Sequence, residues 1–341
     1  MRQAKRAFLS FIALFVAIPS DFAEAGVDFG YFWRLSPSVF KIETHNRNGG
    51  SSVGSGVLVG DGLIVTNCHV TRNATYIQVV KQSLRWDVTA QASDVEHDLC
   101  LLRAPNVVGK SAPISSTPPK VGQTVIAMGY VGGIAPQMSG GEVRALYRFD
   151  GSQVIQSSAW FNSGASGGGL FDQDGRLVGI IAFRHKGGAG YHFALPVDWI
   201  FRHSLDPDRA GKIMPLDHGL AFWQRAGDRQ PYFLKAAALE ASHDWPALRE
   251  LADRWTHSET DNPDGWLSLG RAYLEMSEYD QAIAAFGKAI QEDLDCAEAW
   301  YSLGLAYKGR GRARQLQEVE RVLVTLDEDL AAKLSVQTRI H

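Results

Sequence analysis

Two serines three residues apart, Ser163 and Ser166, sit in the glycine-rich stretch WFNSGASGGGLF, residues 160–171. A serine hydroxyl becomes a nucleophile when a base takes its proton, an acidic group orients that base and N–H donors wait for the oxyanion. Ten histidines are available as bases. His69 lies just past a strand-like run ending Ile64-Val65-Thr66, within GSGVLVGDGLIVTNCHVT. Asp98 opens the apolar stretch DLCLLR. His69, Asp98 and Ser166 follow one another at intervals of 29 and 68 residues. The chemistry on offer is acyl transfer through serine. A lone histidine near a strand end is usually structural, and a Gly–Ser loop is usually a turn. On these residues alone the choice between Ser163 and Ser166, and between nucleophile and loop, stays open.

The elements that must position such groups are short. Residues 38–200 alternate apolar runs such as VFKIET, LIVTN, YIQVV, QTVIAMG and RLVGIIAF with Gly, Asn, Asp and Pro. Each run has strand length and several alternate with period two, with no helical stripe between them. Many short strands joined by tight turns predict a sandwich or barrel. The segment PISSTPPKVG near residue 117 is placed to separate two sub-barrels.

Several of these stretches together resemble the trypsin-like (chymotrypsin-fold) serine peptidases of the HtrA/Deg-like branch. They are GSGVLV with IVTNCHV, HDLCLLR, AMGYVGG with MSGGEVRALYR, SGASGGGLFDQDGRLVGI, and YHFALP. The resemblance covers residues 38–200 and implies a double β-barrel of the chymotrypsin type. It implies that Ser166, in Gly-x-Ser-Gly-Gly, is the nucleophile and Ser163 a loop residue. His69 is then general base and acid, and Asp98 orients it. The backbone N–H groups of Gly164 and Ser166 form the oxyanion hole. Ala182, Phe183, Arg184 and His192 are expected along the substrate wall, with His185 beside them. Arg184 and the two histidines either favour an acidic P1 residue or form a surface cluster. Cys68 and Cys100 flank His69 and Asp98, which are neighbours in this fold, so they are either a disulfide bracing the triad or two buried thiols. Two features depart from the family: Ala165 stands where it usually has Asn or Asp, and no PDZ domain follows.

From Pro231 onward the pattern turns helical. Trp266, Leu269, Gly270 and Tyr273 recur as Trp300, Leu303, Gly304 and Tyr307 at an offset of 34 residues. That is the tetratricopeptide period, and residues 231–335 resemble a tetratricopeptide-repeat array. Ala282, Phe286 and Ala289 complete the first unit, and a degraded earlier unit is expected over Tyr232–Trp255. Such repeats stack into a groove for a peptide or partner, or serve as a helical cover for the β half. Residues 203–230, mixed and rich in Pro, Asp and Gly, read as a linker.

The chain has 341 residues, 45% apolar and 21% charged, with a formal net charge of −3. Nothing in that balance suggests a nucleic-acid partner. Arg2, Lys5 and Arg6, an apolar run over residues 7–18 and Ala23-Glu24-Ala25 predict a signal peptide over residues 1–25, cleaved after Ala25. The protein is then secreted or periplasmic, with no stable membrane span after signal removal. Its three cysteines show no C-x-x-C spacing and no H-E-x-x-H occurs, so neither metal nor cofactor is expected. Residues 26–37, with four aromatics, pack on their own barrel or on another subunit.

The expectation is a multidomain protein. An all-β protease domain (26–202) and a linker (203–230) precede an all-α repeat domain (231–335). Its expected function is a serine endopeptidase acting on protein or peptide substrates, with the repeats recruiting a substrate or partner. The rival is a catalytically silent adaptor of the same fold that binds partners through its repeats.

Overall fold

The computed structural model describes residues 29–184, 192–202, 205–216 and 219–339. The expected signal peptide and His185 lie outside them.

Seven antiparallel strands form the first sheet: β1 (Val39–His45), β2 (Ser51–Gly60), β3 (Leu63–Thr66), β4 (Tyr76–Lys81), β5 (Leu84–Asp87), β6 (Ala90–Asp94) and β7 (Leu99–Arg103). Their spatial order is β5-β4-β1-β2-β3-β7-β6. Strand β1 shows why they form. Phe40 and Ile42 are buried while Lys41 and Glu43 alternate with them on the outer face and pair with each other. A six-stranded closed barrel follows, built from β8 (Thr124–Gly129), β9 (Gln137–Phe149), β10 (Ser152–Ser157), β11 (Gly169–Phe171), β12 (Leu177–Arg184) and β13 (His192–Pro196). The short helix α1 (Phe29–Leu35) precedes the first sheet, and Leu35 is buried in the core shared with the barrel.

The helical region comprises α3 (Tyr232–Ala241), α4 (Trp245–Ser258), α5 (Pro263–Glu275), α6 (Tyr279–Glu292), α7 (Ala297–Arg310), α8 (Ala313–Leu326) and α9 (Glu328–Arg339). Proline at the first helical position and an Asn262 cap on the Asp264 N–H start α5. The repeat residues pack as their period requires. A Cβ at Gly270 would lie 2.4 Å from the Phe286 ring, and one at Gly304 would lie 2.6 Å from Leu334. These two glycines let the helices close on one another.

The described residues of segment 203–230, expected to be a linker, are in part packed on the domains they join. Gly211 pairs with Gln91 of β6, and Leu216 N–H donates to the Arg72 carbonyl at 2.8 Å. Ala221 and Phe222 are fully buried, and the Phe222 ring lies 4.8 Å from Phe149 and 6.1 Å from Phe233 of α3. An apolar island, Ala221-Phe222-Trp223, within a polar stretch explains the difference: burying aromatic area outweighs the mixed composition around it.

Barrel and helices therefore share one core. It runs from Tyr147, Phe193 and Trp199 through Phe222 to Phe233, Leu248 and Trp255. Arg148, between Tyr147 and Phe149 on β9, adds a polar anchor. Its backbone N–H donates to Asp264 Oδ2 at 2.6 Å, its guanidinium bonds Asp264 Oδ1 at 3.1 Å, and it also pairs with Asp293. Within the helices, Arg271 of α5 bridges Glu240 of α3 and Glu298 of α7.

Candidate active site

Three loops bring the candidate residues together. The chain leaves β3 at Thr66 and enters a single helical turn, α2 (Cys68–Thr71), which carries His69. Two side chains fix that exit. Thr66 Oγ1 donates to the Ser55 carbonyl at 2.6 Å, and Asn67 Nδ2 donates to the Asp98 carbonyl at 3.0 Å. Asp98 precedes β7 with φ +59°, a left-handed conformation that Asp tolerates better than most residues. Cys68 and Cys100 are joined by a disulfide with their Cα atoms 5.0 Å apart, tying the residue before His69 to the strand after Asp98.

Asp98 is fully buried, and its carboxylate accepts three N–H groups. Oδ1 takes the His69 backbone N–H at 2.8 Å, and Oδ2 takes His69 Nδ1 at 2.7 Å. The third donor is the Trp223 indole, whose Nε1 lies 3.1 Å from Oδ2. This arrangement puts the proton of a neutral His69 on Nδ1 and leaves Nε2, which makes no hydrogen bond to a described residue, free to accept another.

Ser166 is half-buried at the end of the loop before β11, and its Oγ donates to the Ala182 carbonyl at 3.2 Å. Ser163 is exposed, with its carbonyl taking the Gly132 N–H at 2.7 Å. Gly164 has φ +93°, and a Cβ there would sit 2.4 Å from the Tyr130 carbonyl. Gly167 has φ +86° and would place a Cβ 2.1 Å from the Ser55 carbonyl. Both positions demand glycine, on strain and on space. The N–H groups of Gly164 and Ser166 donate to no described residue, so both are free to receive a ligand oxygen. Ala165 is buried with its backbone pressed against Gly129, where a Cβ would come within 2.9 Å. Close packing holds the loop at this position without a polar side chain.

Ser55 is a residue whose role the motif did not disclose. Its hydroxyl donates to the Gly164 carbonyl at 2.7 Å and accepts the Tyr130 N–H at 2.8 Å, while its backbone N–H donates to the Ser166 carbonyl at 2.8 Å. Trp223 went unseen as well, because it lies in the segment read as a linker. The aromatic pair Phe222-Trp223 amid polar residues was the available signal.

The expected substrate-wall residues separate. Ala182 lies beside Ser166, whose Oγ donates to its carbonyl. The Phe183 ring is sandwiched between Phe193 and Trp223, each 4.8 Å away and nearly parallel. Arg184 ends β12 exposed. His192 turns its ring against Phe161 at 4.7 Å, and burial, with the Arg184 charge, pushes its pKa below the usual imidazole range. Among the described residues no group of His, Cys, Asp and Glu is arranged to hold a metal.

Two sheets that bring a His–Asp pair and a serine loop to their junction define a chymotrypsin-like serine-protease domain. Residues 54–180 match the family described as trypsin-like peptidase domain, and residues 267–313 match the tetratricopeptide repeat family. Serine protease HTRA4 of Mus musculus is 34% identical over 191 residues, which cover 49% of this chain and 38% of that protein. A probable periplasmic serine endoprotease DegP-like of Pseudomonas putida (strain GB-1) is 35% identical over 176 residues, covering 48% of this chain and 36% of the relative. The active form of the Rv3671c protease from M. tuberculosis superposes with a TM-score of 0.52 at 22% identity, over 63% of this chain and 99% of that one, a likeness of fold. The chain thus carries a trypsin-like serine-protease domain related to the HtrA and DegP proteases, followed by a tetratricopeptide repeat region. It spans well under half the length of these two curated relatives.

Proposed function

We propose that the protein is a secreted serine endopeptidase that cleaves peptide bonds through an acyl-enzyme on Ser166. The observation that carries this reading is the buried Asp98 carboxylate, which grips His69 at both its backbone and Nδ1 and so leaves Nε2 to act as the base. In the reaction Ser166 Oγ turns from the Ala182 carbonyl to His69 Nε2, gives up its proton there and attacks the scissile carbonyl carbon. The oxyanion is received by the N–H groups of Gly164 and Ser166. His69 then protonates the departing amine. A water deprotonated by His69 attacks the ester carbon, and Ser166 recovers its proton as the acid leaves. The helical region acts first as a brace for the six-stranded barrel, through Arg148 and the shared aromatic core. Recruitment of substrates or partners falls to the repeat surface beyond that contact. The disulfide between Cys68 and Cys100 supports export to an oxidising compartment, as does the basic and apolar N-terminal sequence. Among the described residues no helix is long and apolar enough to cross a membrane.

Turnover separates this reading from that of a silent adaptor. Purified protein should hydrolyse casein or members of a peptide library, and His69→Ala should lower kcat by several orders of magnitude with little change in binding. No turnover by the wild type, together with capture of partners through residues 231–335, would favour the adaptor.

A further inference from the structure

Trp223 lies 125 residues beyond Asp98 in the chain, on the segment that joins the barrel to the helices, yet it completes the hydrogen-bonding of the Asp98 carboxylate. Oδ2 receives two donors, His69 Nδ1 at 2.7 Å and Trp223 Nε1 at 3.1 Å. The indole also stands edge-on to the His69 ring, with centroids 5.6 Å apart and planes at 84°. It also stacks on Phe183, and that stack continues to Phe193 on β13.

The segment around it is pinned on both flanks of the triad. Arg72, three residues after His69, donates to the Gly219 carbonyl at 2.9 Å and to Gln224 Oε1 at 3.2 Å. Glu96, two residues before Asp98, accepts the Phe222 N–H at 2.9 Å and pairs with Arg225 at 2.8 Å. Phe222, the residue before Trp223, is buried against Phe233 of α3. A buried carboxylate keeps one rotation only while its oxygens are held by donors. Here one oxygen is fixed partly from outside the β domain.

We infer that Trp223 is a positioning residue: its indole N–H sets the rotation of the Asp98 carboxylate, and through it the orientation of His69. The inference rests on the peptidase reading above and assigns the joining segment a part in that site. Trp223 makes no hydrogen bond to Ser166 or to the oxyanion N–H groups, so its effect passes through His69.

The test compares the full-length wild type with Trp223→Phe, which keeps a ring on Phe183 and removes the donor. A hydrogen bond to a charged group is being lost, so kcat on a peptide ester is expected to fall about tenfold or more, with KM within about twofold. Without the indole N–H, more of the Asp98 charge falls on the imidazole and favours its protonated form. The acid limb of the pH–kcat profile should therefore move to higher pH. The downfield NMR resonance of the His69 Nδ1 proton, which requires no turnover, should shift as well. Should Trp223→Phe fail to fold, benzothienylalanine placed at 223 keeps the shape of the indole without its N–H and is read in the same way. Lost activity with an unmoved resonance and an unmoved acid limb would overturn the inference and leave Trp223 a packing residue. If the wild type neither turns over nor labels, the peptidase reading fails on its own. The resonance still decides this contact, since a shift supports it and an unchanged signal overturns it.

Discussion

The Ser55 hydroxyl donates to the Gly164 carbonyl across 109 residues of sequence, at 2.7 Å. A strand of the first sheet thereby holds the loop that carries the Gly164 and Ser166 N–H groups, while the same oxygen accepts the Tyr130 N–H.

Replacing Ser55 by Ala leaves the Gly164 carbonyl and the Tyr130 N–H without this partner. The cost to stability should be about 1–3 kcal/mol, the usual figure for a buried polar group left unsatisfied. The freed carbonyl can turn and loosen the loop that carries the Gly164 and Ser166 N–H groups, so the second-order rate of labelling by a fluorophosphonate should fall about tenfold, less than the loss of a whole oxyanion donor would cost. Urea unfolding and labelling kinetics on the same preparation check both. Labelling at the wild-type rate would show that the loop is held by other contacts.

Arg148 and Asp264 join the barrel to the repeats. Asp264 is nearly inaccessible, and burial pushes its pKa up against the opposing pull of Arg148. Arg148→Met should destabilise the protein by about 3 kcal/mol or more, because it strands a buried carboxylate. Arg148→Met with Asp264→Asn should recover part of that loss. Because barrel and helices share one core, both variants should still unfold in a single transition by fluorescence and circular dichroism. Two separated transitions would contradict a joint core.

Lys81 offers a pH test away from the site. Burial lowers its pKa from the usual 10.5 to about 8, even though the ammonium meets the Ser36 carbonyl and lies 4.4 Å from the Phe40 ring centre. With the folded value depressed, the unfolded chain binds more protons between about pH 8 and 10.5, so this group makes stability rise with pH across that window. Below it the cost of burying the charge is fully present. Lys81→Met should therefore be more stable than the wild type at pH 7, with the difference shrinking toward pH 10.5. Denaturant midpoints at the two pH values measure this, and a constant difference would contradict it.

How far the sequence discloses this molecule depends on where the information sits. The strands, the repeat period and the protease resemblance are local patterns: two-residue alternation in VFKIET, the 34-residue return of Trp266 at Trp300, and GASGG. The glycines of that last motif answer to neighbours distant in sequence, Gly164 to Tyr130 and Gly167 to Ser55. Trp223 and Ser55 were not legible in their roles, because both act through hydrogen bonds to residues far away in the sequence, and such bonds leave no periodicity. The linker reading went astray for a related reason. Composition averaged over residues 203–230 is mixed, while the packing of the segment is set by the buried Phe222 and by Trp223 on Asp98. Likewise, the repeat pattern says that helices stack but not that Arg148 of the barrel occupies the start of α5.

The central claim is that Ser166, and not Ser163, is the nucleophile served by His69 and Asp98. Labelling by a fluorophosphonate, read by intact mass and by the modified peptide, tests it most directly. The wild type and Ser163→Ala should each gain one adduct, on Ser166, and Ser166→Ala should gain none. Adduct formation on Ser166→Ala with its loss on Ser163→Ala, or no adduct on folded wild type, would contradict the account.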